Sequence, residues 1–169
     1  MIAITGTPGT GKTAVAGVLR RRGYAIESLA ELAVRMGASM KGKDEAVIDT
    51  AAMSKKLHGR RGRLIVEGHL SHWLGPDLCI VLRCSPKRLR QRLAAREYSK
   101  AKVQANVEAE AIDAILVESL ENCDDVREID TTSRKAVNVA DCVEEIISDG
   151  GEGYLPGSVD WSKEVLAWF

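Results

Sequence analysis

Gly6-Thr7-Pro8-Gly9-Thr10-Gly11-Lys12-Thr13 fills every position of the G-x-x-x-x-G-K-[ST] phosphate-loop pattern. Such a loop works only where a strand delivers the chain and a helix receives it. Both flanks fit. Met1-Ile2-Ala3-Ile4-Thr5 is a short apolar run with β-branched residues, the pattern of a buried strand. Ala14 to Arg22 reads as a helix ending near Gly23. The glycines let backbone N–H groups converge on phosphate oxygens, and the helix N-terminus adds partial positive charge. Lys12 can reach the β- and γ-phosphates, and the Thr13 hydroxyl can hold Mg²⁺.

The 169 residues suffice for one domain with a real core and are too few for two ordinary ones. Basic and acidic residues balance at 24 each, so no global field draws the chain to nucleic acid or membrane. The first segment is the loop strand itself, so no secretory leader is expected, and no apolar run approaches membrane-spanning length. Cys79, Cys84, Cys123 and Cys142 form no C-x-x-C pair and have no zinc spacing with the three histidines. Reduced thiols and a cytoplasmic location follow.

Strand and helix patterns then alternate. Tyr24–Glu27 reads as a short strand, and Ser28-Leu29-Ala30-Glu31 as a capping box opening a helix. Leu29, Leu32, Ala33 and Met36 share one face of it. A polar, lysine-containing loop follows between Gly37 and Gly42, then a helix from Asp49 to about Leu57, and a basic turn from Gly59 to Gly62. Leu64-Ile65-Val66 and Leu78–Leu82 are apolar throughout. Continuous apolar strands indicate a parallel sheet covered on both faces. The expected architecture is a three-layer α/β phosphate-loop fold, a doubly wound parallel sheet of about five strands. Ser85 caps the next helix, with Pro86 at its first position and Leu89 and Leu93 on the buried side. Arg88, Arg92 and Arg96 recur on another face, with Arg88 expected in solvent. A polar stretch over 97–103, a long helix to about Glu121, a strand over Val126–Asp130 and a helix over Lys135–Ser148 complete the domain. The tail over 150–169 carries Trp161, Trp168 and Phe169.

A phosphate loop is shared by GTPases, ATPase motors and small-molecule kinases. Small size leaves little room for motor insertions. Segments 28–51 and 96–106 are placed as an acceptor-binding region and a short lid. A phosphoryl-transfer enzyme needs cations on the migrating group and must exclude water, and an arginine-bearing lid meets both needs.

The phosphate loop, the strand end Glu67-Gly68-His69, the strand end Val81-Leu82-Arg83, and Arg96-Glu97-Tyr98 followed by Asn106 and Glu110 together resemble the adenylate kinase isoenzyme 6 family. The likeness spans roughly Met1 to Ser148, and the Trp161 tail resembles archaeal members. It implies ATP with Mg²⁺ as donor, AMP or another nucleoside monophosphate as acceptor, accompanying ATP hydrolysis, and a role in maturation of the small ribosomal subunit and its rRNA. The implied partner is the platform protein of that subunit, number eleven in the universal scheme, bound transiently. Two positions depart from the family. Glu67 stands where an aspartate is usual, one methylene longer, and Glu31 stands where the acceptor-phosphate arginine is usual, with Arg35 one turn later.

The candidate set follows. Gly9, Thr10, Gly11, Lys12, Thr13 and Ala14 cradle the donor phosphates. Lys12, Glu67, His69 and Arg96 carry the chemistry, with Thr13 and Glu67 at Mg²⁺ and Arg96 also on ATP. Arg35, Asp49 and Arg92 are acceptor candidates. On the residues alone, His69 reads as a base or water-positioning group, or as a hydrogen-bonded strand-end histidine; Asp49 reads equally as a helix cap. Arg60, Arg61 and Arg63 leave room for RNA contact. A nucleotide-switched assembly factor and a kinase for another small metabolite stand as alternatives.

Overall fold

A computed structural model describes residues 1–42, 46–57, 64–96 and 98–169. The basic turn with Arg60, Arg61 and Arg63, the lid position Glu97, and part of the 28–51 segment lie outside the described residues. In chain order the elements are β1 Ile2–Thr5, α1 Lys12–Arg21, β2 Ile26–Ser28, α2 Leu29–Arg35, β3 Ser39–Met40, β4 Val47–Ile48, α3 Thr50–Leu57 and β5 Ile65–Glu67. A single 3₁₀ turn, Ser71–Leu74, precedes β6 Leu78–Arg83. Then come α4 Pro86–Ala94, α5 Lys100–Ala111, α6 Ala114–Asn122, β7 Val126–Asp130, α7 Ala136–Asp149, a short turn Glu152–Tyr154 and α8 Ser162–Leu166.

Five strands form a parallel sheet in the order β2-β5-β1-β6-β7. The apolar runs are buried on both faces, and the pleat divides them. Ile2, Ile4, Ile65, Leu78, Ile80, Leu82 and Ile129 pack with α1 and α7, whereas Ala3, Cys79, Val81 and Val126 meet Leu116 of α6. Val66 faces a second cluster with Leu29 and Leu32 of α2 and Met53 and Leu57 of α3. The predicted three-layer fold is the one found. β1 is central, and the chain leaves it first towards β2 and later returns to its other side as β6. A crevice therefore opens at the carboxyl end of β1, where open α/β sheets take their ligands. The phosphate loop fills that end.

Three local expectations change. Ser28 occupies the position before α2, yet its side chain makes no capping hydrogen bond; it is the last residue of β2. The loop between α2 and α3 contains the antiparallel pair β3 and β4. The long helix expected to run to Glu121 breaks at Asp113, whose φ of 57° is left-handed. Its carboxylate is bound by buried Arg83, a partner far away in sequence that outweighs helix propensity.

Candidate active site

The phosphate loop is held open by glycines that tolerate no side chain. A Cβ on Gly6, at φ +132°, would lie 2.3 Å from the Leu82 carbonyl oxygen, and one on Gly9, at φ +99°, would lie 2.7 Å from Leu89 of α4. Sheet and helix α4 thus approach the loop more closely than any L side chain would allow. Lys12 begins α1 and is only 8 % exposed. Its Nζ donates to the carbonyls of Gly6 at 2.6 Å and Thr7 at 3.1 Å. Burial pushes its pKa down to about 8, opposed by the carboxylates of Glu67 and Glu110 and assisted by the charge of Arg96.

Thr13 Oγ1 lies 3.4 and 3.5 Å from the two carboxylate oxygens of Glu67 at the end of β5. The longer side chain thus still reaches the loop hydroxyl. Among the described residues no three carboxylate, histidine or cysteine side chains cluster as a metal cage. A hydroxyl facing one carboxylate suits Mg²⁺, a hard cation that takes few protein oxygens and keeps water and phosphate ligands.

His69 follows β5 by two residues and is exposed on the cleft wall. Desolvation by the surrounding wall and the nearby charge of Lys12 lower its pKa, so it is neutral at neutral pH. Its backbone is secured, since Thr5 Oγ1 donates to the His69 carbonyl at 3.3 Å. The same Thr5 hydroxyl lies 3.0 Å from Nδ1 of buried His72, whose Nε2 meets Glu118 at 3.1 Å. Burial holds His72 low, with Glu118 opposing.

These residues line a cleft of about 540 Å³. Its walls bring together the loop, Glu67, Gly68 and His69 with Ser28, Leu29, Ala30 and Ile48 and with Arg96, Tyr98, Lys102 and Asn106. Described residues of both segments, read from sequence as acceptor region and lid, thus line one cleft with the phosphate loop. A second cavity of about 430 Å³ lies behind the loop, bounded by Gly9–Gly11, Arg92, Thr131, Arg134 and Val139. Arg96 borders both.

The acceptor candidates are dispersed. Arg92 does not line the 540 Å³ cleft: its guanidinium donates to the carbonyls of Gly9, Thr10 and Thr131, the last at 2.7 Å, and borders the second cavity. Arg35 pairs with Glu27 on an exposed flank and does not line the cleft. Asp49 accepts from the Ala52 N–H at 2.8 Å as the cap of α3. Arg88 is exposed and bonds Gln91 at 3.0 Å.

With this geometry in view, the chain's relatives can be placed. The AAA domain family matches residues 2–113, from β1 to the helix break. A protein of Archaeoglobus fulgidus named "Putative adenylate kinase" is 47% identical over 169 residues, covering 98% of this chain and 93% of its own. The chain belongs to this archaeal adenylate kinase family. A member of the same name from Thermococcus gammatolerans is 42% identical over 166 residues, covering 96% and 93%. Deoxyadenosine kinase from M. mycoides, solved with dCMP and dCDP, superposes with a TM-score of 0.56 over 86% of this chain and 97% of its own. At 14% identity it shares the fold.

Two features of this family member escaped the sequence reading. Lys102 Nζ lies 4.4 Å from the Tyr98 ring centroid on the cleft wall, a cation–π contact between the first turn of α5 and the residue before its cap. Arg83 and Glu110 form a buried ion pair at 2.8 Å, and Glu110 also accepts from Thr7 of the loop. The tail folds back: the Trp161 ring lies 5.9 Å from the Arg83 guanidinium carbon, while Trp168 and Phe169 remain exposed.

Proposed function

We propose that this chain is a nucleoside-monophosphate kinase, moving the γ-phosphoryl group of ATP to AMP or a similar acceptor. The observation that carries this reading is the single cleft that joins Lys12, Thr13, Glu67 and His69 to Arg96 across the phosphate loop. A donor in the loop and an acceptor against Ser28–Ala30 and Ile48 would meet above Lys12. In-line transfer demands little covalent chemistry, so positioning and charge stabilisation dominate.

The loop N–H groups and Lys12 bind the donor phosphates, and Lys12 must give up its own loop carbonyls to do so. Arg96, at the junction of the two cavities, stabilises charge on the migrating group. Thr13 and Glu67 would hold Mg²⁺, which when bound neutralises phosphate charge. Neutral His69 can accept a proton or orient a water, which supports accompanying ATP hydrolysis. A link to small-subunit maturation, through transient contact with the platform protein numbered eleven in the cytoplasm, rests on the family resemblance. Calorimetry with that protein in the presence of an ATP analogue, ADP or no nucleotide tests it; absence of binding in all three would leave a metabolic kinase.

The kinase reading is tested by supplying ATP and Mg²⁺ with each nucleoside monophosphate in turn and following diphosphate formation. Stimulation by one or more acceptors, absent in Lys12→Ala, supports it. ATP hydrolysis indifferent to every acceptor would overturn it in favour of a nucleotide-driven assembly factor.

A further inference from the structure

The phosphate loop is bonded to a side chain that no part of the proposed chemistry uses. Glu110, 2 % exposed in the last turn of α5, accepts from Thr7 Oγ1 at 2.5 Å through one carboxylate oxygen. Its other oxygen accepts from Arg83 Nε at 2.8 Å and from the Cys84 N–H at 3.1 Å. Arg83 is anchored in turn by Glu128 at 2.6 Å. The carboxylate is thus fixed to the ends of the central strands while presenting its free oxygen to the loop. Thr7 is itself central, since its carbonyl receives Lys12 Nζ at 3.1 Å and Thr10 Oγ1 at 2.9 Å.

The helix that carries Glu110 begins at Lys100, capped by Ser99, just beyond Arg96. From Lys100 to Glu110 the helix rises about 15 Å as one stiff body, and Val103 and Val107 pack it onto Leu89 and Leu93 of α4. α5 therefore meets the cleft twice: Glu110 near its end holds the loop, and Lys102 and Asn106 nearer its start line the same cleft as Arg96. We propose that Glu110 is a positioning residue which, through Thr7 Oγ1, sets the phosphate loop in register with the arginine-bearing segment. The role is coupling, so its loss lowers turnover by misaligning Arg96 with the donor. This inference rests on the reading of the cleft as a phosphoryl-transfer site.

Thr7→Val removes the donor hydroxyl at nearly constant volume, and Thr7→Ser restores it. Rates are normalised to folded fraction, and both ATP hydrolysis and transfer to AMP are followed. Thr7→Val should lower kcat roughly tenfold, the size of one charge-assisted hydrogen bond, with a smaller change in KM for ATP. Thr7→Ser should stay within about twofold of the parent. In an Arg96→Ala background the further loss from Thr7→Val should fall to about twofold or less, since coupled residues are non-additive. A KM effect alone, or the same tenfold loss with and without Arg96, would overturn the coupling and leave Thr7 a local loop contact. An unaltered Thr7→Val enzyme would do the same. A parent protein without transfer or hydrolysis would instead overturn the kinase reading itself, so the two failures are distinguishable.

Discussion

Lys12 Nζ lies 2.6 Å from the carbonyl oxygen of Gly6, the first residue of the loop it serves. The ammonium donates to its own loop until phosphate oxygens accept its hydrogen bonds instead. Lys12→Ala should therefore remove transfer and hydrolysis together, by at least about 10²-fold, the cost of deleting one preorganised electrostatic group. Near-normal activity in a folded variant would remove this loop from the active site.

The same burial predicts a pH limb. Below about 8 the free-enzyme lysine is charged, and above it the charge is lost. kcat/KM for ATP, which reports the free enzyme, should fall above about pH 8. The corresponding limb in kcat should move higher, because bound phosphates retain the proton. For folding the sign reverses: the native lysine releases its proton before the unfolded chain does, so its contribution to stability rises between about 8 and the ordinary lysine value. A flat kcat/KM profile to pH 9.5 would contradict this placement.

Arg96 borders both cavities and is exposed in the open cleft. Arg96→Ala should lower kcat more than it raises KM for ATP, if the charge acts mainly in the transition state. A rise in KM alone would make it a ground-state binding residue.

His69 is neutral at neutral pH, its pKa lowered by desolvation and by Lys12. His69→Ala should reduce ATP hydrolysis more than transfer to AMP, because water must be oriented whereas a bound acceptor is held by its pocket. Comparing the two rates in one preparation checks this, and equal losses would indicate a role common to both reactions.

Arg83 is 1 % exposed and pairs with Glu110, Glu128 and Asp113. Arg83→Met keeps volume but strands buried carboxylates, and should cost about 3–5 kcal/mol of stability, the range for breaking a buried pair from one side. Urea unfolding measures it. A loss below about 1 kcal/mol would show that the network is readily solvated.

The phosphate loop and the strands were legible because their signals are contiguous. Eight consecutive residues specify a backbone path that glycine alone can follow at Gly6 and Gly9, and uninterrupted apolar runs such as Leu78–Leu82 are buried on both faces wherever they pair. Helix caps were legible for the same local reason at Ser85, whose side chain accepts from Arg88 N–H, and at Asp49. Ser28 had the local pattern without the bond, because the chain there is committed to pairing with β5. The short pair β3 and β4 carries too few residues for a periodic signal.

The division of labour among the arginines was not in the pattern. Arg88, Arg92 and Arg96 recur every four residues, yet packing of α4 on the loop sends the first to solvent, the second to the loop carbonyls and the third to the cleft. Likewise Thr7, Arg83 and Glu110 read separately as a loop residue, a strand end and a helix charge. Sequence by itself determined the path of the phosphate loop, since loop backbone and glycine stereochemistry are local. Only the tertiary structure decided which charges gather around that loop, because desolvation and pairing act between groups far apart in sequence, 103 residues for Thr7 and Glu110.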